Sequence, residues 1–320
     1  MGTTADKLNH LIDTKEGIRQ EINRAYGGSE VSTSDTFSSY IQKLEDQPFY
    51  LLKYIERTVK ELKLSTNASI GAYAFYGCDD LTSVTSNATS VGAFAFYFCN
   101  KLKTVLLPNA TSIGNNAFHF SELYDAYIPE AVSIGTNAFC RCTALRVISF
   151  PKATTIGTGA FDNCTSLTSA SCPEVTSIDD KTFIDCNKLT SISFPKATNI
   201  GSQAFRSCSR LTNISFPKVT SIGDSAFRSC SNLTTASFPK LARIADGSTS
   251  WIGKKGVFMD CSNLTTLYIG TENSTVCTLG TGAFQGCSKL ANIYVPASLV
   301  NDYRSARNWS EYASKIKAAP

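Results

Sequence analysis

The residues of this 320-residue chain whose types could carry nucleophilic or metal chemistry are twelve cysteines and two histidines. Nine of the cysteines recur at a near-constant interval: Cys78, Cys99, Cys142, Cys164, Cys186, Cys208, Cys230, Cys261 and Cys287. Cys140, Cys172 and Cys277 stand outside that series. A tetrahedral metal site needs ligands that converge, such as facing pairs of closely spaced cysteines. One sulfur per turn of a repeating chain makes a column of parallel side chains instead. Such a column suits small buried thiols. Rungs about 4.8 Å apart also admit a disulfide, and Cys140 and Cys142 are the pair most open to one. His119 and His10 would each need an orienting third group to act in catalysis, and nothing in a periodic sequence singles one out. The T-G-A-F segments at 158–161 and 281–284 lack the G-K-[ST] of a phosphate loop and are ordinary copies of a repeat. This inventory points away from an enzyme, and no cofactor or metal is expected.

What positions these residues is a repeat. The pattern I-G-x-x-A-F-x-x-C-x-x-L begins at Ile70 and returns from Val91, Ile113, Ile134, Ile156, Ile178, Ile200, Ile222, Ile244 and Leu279. Its Phe residues are Phe75, Phe96, Phe118, Phe139, Phe161, Phe183, Phe205, Phe227, Phe258 and Phe284, separated by 21, 22, 21, 22, 22, 22, 22, 31 and 26 residues. The interval of 31 is one period plus an insertion of nine. Each copy continues into an alternating segment, as in Leu189-Thr-Ser-Ile192-Ser-Phe194-Pro195. Ile192 and Phe194 turn inward, Ser191 and Ser193 outward, and the proline, lacking an N–H, ends the strand. The period and the L-x-x-I-x-F spacing predict a leucine-rich-repeat solenoid with one short parallel strand per coil. One coil cannot bury its own apolar face; stacking makes a continuous core.

The motif S-I-G-x-x-A-F-x-x-C-x-x-L resembles that of the BspA-like family of bacterial leucine-rich repeats, over roughly residues 59–296. The resemblance implies surface adhesion and binding to a protein or host surface, without naming the partner. The sequence departs from commoner leucine-rich repeats in having no asparagine after the strand; F-P-K or an equivalent stands there.

The ends differ in kind. Residues 1–47 are expected to form a helical module, because Leu8, Leu11, Ile12, Ile18 and Ile22 make an apolar stripe that Gly27 and Gly28 terminate. Its K-L-x-x-L-x-x-T-K-x-x-I-R run resembles short helical modules of phage tail and virion-associated proteins, and its stripe offers a contact for homo-oligomers. Residues 48–69 are expected to cap the array, with 49–56 and Val59–Leu64 as strands. Residues 70–296 hold the ten repeats, and 297–320 are expected to be a helical cap whose apolar face is Val300, Tyr303, Trp309, Tyr312 and Ile316.

Three features are candidates for binding. The first is the outward strand face, small hydroxyls in the middle with Tyr127, Tyr268 and Tyr294 toward the ends. The face could equally be no more than a solvated surface. The second is a basic column, Lys152, Lys196, Lys218 and Lys240 after the strand-ending prolines, with Arg206 and Arg228 after the repeat Phe. Stacked like charges must be solvated or met by an acidic partner. The third is the insertion at 245–256, where Trp251 is flanked by Lys254 and Lys255.

Composition supports a folded interaction protein. Apolar residues make up 42% and charged residues 18%, and the net charge of +4 is too small to argue for nucleic acid. No stretch approaches the roughly 20 apolar residues of a membrane span, and the start has no apolar run of leader length. The chain therefore reads as a non-enzymatic adhesion or binding protein, outside the cell or on its surface, engaging a protein or glycan of a host or bacterial surface. The alternative is a virion-associated host-recognition protein in which residues 1–45 assemble the subunits.

Overall fold

The computed structural model describes residues 60–64, 67, 69–245 and 256–320. The expected helical module at 1–47, the strand at 49–56 and the insertion residues Trp251, Lys254 and Lys255 lie outside the described residues. The chain divides into two compact units, 1–145 and 146–320. Each is a parallel β-solenoid.

In the first unit the strand face is a sheet in the order β1 (Glu61–Leu64), β2 (Ser83–Ser86), β4 (Thr104–Leu106), β6 (Asp125–Tyr127). Neighbours are parallel and in register, so that Leu62, Val84, Val105 and Ala126 form one inward column. β1 falls within the strand expected at Val59–Leu64, with Leu62 and Leu64 buried and Glu61 and Lys63 exposed.

A second ladder runs through every one of these coils, which the reading of one strand per coil undercounts. The S-I or S-V pair opening each motif is a two-residue strand: β3 (Ser90–Val91), β5 (Ser112–Ile113) and β7 (Ser133–Ile134). These pair in parallel with the Ile side chain buried and the Ser half-buried. The glycine that follows explains how tightly the coils nest. A Cβ on Gly114 would lie 2.5 Å from the Ala93 nitrogen and 2.5 Å from the Gly92 carbonyl carbon, so no side chain fits.

The second unit repeats the plan. Its strand face comprises β8 (Val147–Ser149), β10 (Ser169–Ser171) and β12 (Ser191–Ser193) in one sheet. A further sheet holds β14 (Asn213–Ser215), β16 (Thr235–Phe238), β18 (Thr266–Ile269), β19 (Asn292–Val295) and β20 (Ile316–Ala318). The back ladder contains β9 (Thr155–Ile156), β11 (Ser177–Ile178), β13 (Asn199–Ile200), β15 (Ser221–Ile222) and β17 (Arg243–Ile244), the last four paired in that order.

The core of each unit is a stack of the repeat phenylalanines. Ring centroids are 5.2, 5.3 and 5.2 Å apart from Phe75 through Phe96 and Phe118 to Phe139. From Phe161 through Phe183, Phe205, Phe227 and Phe258 to Phe284 they are 5.4, 5.4, 5.3, 5.4 and 5.7 Å. Phe227 and Phe258 are 31 residues apart in sequence yet stack at the ordinary spacing, so the phenylalanine column is continuous across the longer interval. Neighbouring rings are near parallel, with planes 2–17° apart, and their spacing lies within the range of favourable aromatic pairs.

At the C-terminus, the expected helical cap is only part of what forms. A short 3-10 turn (Ala297–Leu299), α1 (Val300–Ser305) and a 3-10 turn (Ser310–Lys315) lead into β20, which pairs in parallel with β19. Ile316 therefore belongs to a strand, not to a helix face. Tyr303, Trp309 and Ile316 are all fully buried, while Val300 and Tyr312 are half-buried. Trp309 Nε1 donates to the Cys277 carbonyl at 2.7 Å, and the Tyr303 hydroxyl accepts from the Cys277 N–H at 2.9 Å. Both large rings thus bury their apolar bodies and keep their polar atoms partnered.

Candidate binding surface

Each coil is held by local rules that also decide what faces solvent. Alternation along the strands sends every second residue outward, and the parallel register lines those residues up into columns. In the second unit one column runs Ser215, Ser237, Tyr268, Tyr294 and Lys317. Beside it lie Asn213, Thr235, Thr266 and Asn292. Ser169 and Ser171 pair with Ser191 and Ser193, giving a floor of small hydroxyls.

Tyr268 and Tyr294 are brought together. Their rings stack with centroids 4.9 Å apart and planes 20° from parallel, and both are half-buried. Lys317, in register with Tyr294, donates to Asn292 Oδ1 at 2.5 Å. The result is an aromatic ridge ending in a cation, of the amphipathic, low-entropy kind favoured in protein contacts. The Lys317 neighbour could not be read from the repeat, because it arrives on the unforeseen strand β20.

Tyr127 lies in the first unit, 54% exposed and in register with Leu106, which is 42% exposed. Tyr124, three residues earlier, is also exposed. Trp251, Lys254 and Lys255 lie outside the described residues.

The basic column is not a run of like charges. Glu174 occupies the same position after Pro173 and pairs with Lys196 at 2.6 Å. Glu272 lies 3.9 Å from Lys240, and Asp260 lies 3.9 Å from Arg228. Arg206 donates to Gln203 Oε1. The column's charges are therefore met largely within the chain, and these exposed pairs contribute little to stability.

The cysteines form a hydrogen-bond ladder. All twelve are buried thiols. Cys99 donates to the Phe75 carbonyl at 3.0 Å and Cys142 to that of Phe118 at 3.2 Å. In the second unit Cys186, Cys208, Cys230, Cys261 and Cys287 reach the carbonyls of Phe161, Phe183, Phe205, Phe227 and Phe258 at 3.0–3.2 Å. Ser121 stands in place of the cysteine in the third coil and donates within its own coil, to the Phe118 carbonyl at 2.7 Å, so the sulfur rung is interrupted there. Threonine hydroxyls tie coil to coil in the same way, as Thr190 does to the Thr168 carbonyl and Thr234 to that of Thr212. Burial pushes the thiols of Cys142, Cys172 and Cys277 up to about 12, so they are held as inert SH groups.

His119 Nδ1 donates to Asn116 Oδ1, 3.0 Å away, and the ring stacks on Phe120. Burial, helped by the Arg141 charge, lowers its pKa. Its partner is an amide, so it lacks the carboxylate that orients a catalytic imidazole. Among the described residues no group of three or more His, Cys, Asp or Glu could hold a metal ion. No described helix is long and apolar enough to cross a membrane.

Sequence reading missed one surface. In the first unit the positions two before, one after and two after the repeat Phe carry Tyr73, Tyr76, Phe94, Tyr97, Phe98, His119 and Phe120. The signal was available as a cluster of aromatics confined to three copies, and the regularity of the motif's core positions drew attention from it.

The BspA type leucine rich repeat region matches the chain in six copies, over residues 54–168, 132–248 and 176–306. No relative was found among the curated proteins. Among solved structures, a leucine-rich repeat protein from Bacteroides ovatus is 27% identical, with 75% of this chain and 68% of that chain covered and a TM-score of 0.59. The T. pallidum leucine rich repeat protein is 27% identical over 48% of this chain and 78% of that chain, with a TM-score of 0.45. A leucine rich cell surface protein from Faecalibacterium prausnitzii is 21% identical over 84% of this chain and 85% of that chain, with a TM-score of 0.43.

Proposed function

The chain belongs to the BspA-type leucine-rich-repeat family, and from that premise we propose that it is a non-enzymatic binding protein. It acts outside the cell or on a surface, engaging a protein or glycan through its strand face. The observation that carries this reading is the stacked Tyr268–Tyr294 ridge beside Lys317. Two tyrosines held rigid by neighbouring strands lose little conformational freedom on binding, which is what an interface anchor requires. Ser237 and Thr235 on the adjoining strand supply adaptable hydrogen bonding. The absence of an acid behind His119 and the inert state of the thiols support binding over catalysis.

The test is binding of the full chain to immobilised bacterial-envelope and host extracellular-matrix components, beside Tyr268→Ala and Tyr294→Ala. A component retained by the native chain and weakened about tenfold or more by either change supports the reading. A component bound equally by all three chains places the contact elsewhere. Turnover of a substrate that depends on His119 would overturn the non-enzymatic reading altogether.

A further inference from the structure

The turns around the repeat Phe follow a strict backbone rule in both units. The residues two before and two after that Phe have positive φ, near +60°. Glycine, asparagine, aspartate and serine meet this need at many of these positions, among them Asn116 and Asn137 in the first unit and Gly159, Asn163, Ser207 and Ser229 in the second, with the long polar chains of Arg141, Lys181 and Gln203 at others. The left-handed region is costly for bulky side chains and cheap for glycine and asparagine. Yet the first three coils place four aromatic residues there, Tyr73 (φ 59°), Phe94 (59°), Phe98 (57°) and Phe120 (60°). Core packing does not account for the choice, since Tyr73 is 42% and Phe98 36% exposed.

These residues make one continuous aromatic surface. Tyr73 stacks on Phe94 at 4.9 Å and Phe98 on Phe120 at 4.8 Å. Between them Tyr76 stacks on Tyr97 at 5.2 Å, and Tyr97 meets Phe98 edge-on at 4.5 Å. The Arg141 guanidinium closes the surface, 5.0 Å from the Phe120 ring centre. Strained residues clustered in one place, Tyr73 and Phe98 exposed and the others half-buried, point to function rather than to folding.

We infer that this turn surface, built on Tyr73, Phe94, Tyr97, Phe98 and Phe120 and bounded by Arg141, binds a polypeptide that presents apolar side chains alongside carboxylates. The rings turn their faces toward one another along each column, so what the columns offer outward is ring edges and phenol oxygens. Ring edges carry positive partial charge. The formal charge at these turn positions is the Arg141 cation, and no carboxylate occupies any of them in the first unit. Of the acids one step further along, Asp80 is paired with Lys101 at 2.8 Å, while Asp79 accepts from the neutral Asn100 amide at 2.8 Å; Glu122 lies at the equivalent place in the third coil. Carbonyls, carboxylates and aliphatic groups complement such a surface. A sugar ring packs on an open aromatic face, and a second copy would set positive edge against positive edge. The inference is independent of the strand-face reading, because its residues lie in the turns.

The experiment uses the full chain and fluorescence anisotropy with three labelled probes at low salt: a synthetic peptide of alternating Leu and Glu, one of alternating Leu and Lys, and maltohexaose. The variants are Phe98→Asn with Phe120→Asn, which suits the left-handed backbone, and Arg141→Gln. We expect the Leu/Glu peptide to bind, and to bind about tenfold more weakly to the double variant and about fivefold more weakly to Arg141→Gln. The melting midpoint of the double variant should be unchanged or raised. Equal binding of the Leu/Lys peptide, or no peptide binding, overturns the inference. So does maltohexaose binding lost in the double variant, which would make this a glycan surface. Self-association of the native chain lost in the double variant would assign the surface to a second copy, and a melting midpoint lowered by the asparagines would assign the rings to stability.

Discussion

The Cys208 thiol donates to the carbonyl oxygen of Phe183 at 3.2 Å, across 25 residues of chain. The cysteine of each coil is thereby a bolt to the coil before it. At the equivalent place Ser121 donates instead to the Phe118 carbonyl of its own coil, the same carbonyl that accepts from Cys142 of the next coil. Cys208→Ala removes both the donor and part of the packed volume and should cost about 1–2 kcal/mol. Cys208→Ser keeps a donor and should cost about 1 kcal/mol less than the alanine change. Urea denaturation of the two variants beside the parent checks the order. Equal losses would mean that the sulfur contributes volume and no hydrogen bond.

The buried thiols also set a pH dependence. Cys142, Cys172 and Cys277 are pushed up to about 12 from an ordinary value of 9.0. Between those values the unfolded chain has lost its thiol protons and the folded chain has kept them. Stability is therefore fully present below pH 9 and falls as pH rises from 9 toward 12, by about 1.4 kcal/mol per pH unit for each such thiol. Melting curves across that range should show the midpoint falling steadily. At pH 8 a thiol-specific reagent should label these three positions only after denaturant is added, as peptide mapping would reveal.

The motif glycine predicts opposite outcomes at two copies. Gly114→Ala forces a Cβ to 2.5 Å from the backbone of the coil before it, and should destabilise by about 3 kcal/mol. Gly71 begins the first copy, and among the described residues nothing lies within 4 Å of the corresponding position. Gly71→Ala should be neutral, or stabilising by up to about 1 kcal/mol through the unfolded chain. Thermal midpoints of the two single variants decide the matter. Similar losses at both sites would show that backbone freedom, not close approach, is what the motif requires.

The C-terminal cap makes a further prediction. Trp309 is fully buried, 6.1 Å from Phe284 and 5.1 Å from Tyr303 between ring centres, with its N–H on the Cys277 carbonyl. Trp309→Ala should cost about 3–5 kcal/mol. Tyr303→Phe keeps the ring but leaves the buried Cys277 N–H without its acceptor, and should cost about 1–3 kcal/mol. Calorimetry on both checks the ranking. A Tyr303→Phe loss as large as that of Trp309→Ala would mean that the hydroxyl, rather than the packed area, holds the cap.

The repeat and its strand face were legible in the sequence, because their determinants are local; the second, two-residue ladder was not. Period-two alternation in Leu189–Phe194 and its equivalents set which residues face inward, and a constant spacing near 22 residues set the register between neighbouring strands. The same arithmetic identified Tyr268 and Tyr294 as outward residues. Tertiary structure alone decided what meets across coils without sharing the repeat. Lys317 sits beside Tyr294 because the last coil leaves a strand edge whose N–H and C=O groups need partners, and β20 supplies them from outside the motif. Glu174 turned a supposed basic column into ion pairs because one substitution among equivalent positions reverses a local field. The aromatic turn surface emerged only once backbone φ and ring stacking were known, since a sequence specifies side chains one at a time while a surface exists only when coils are stacked.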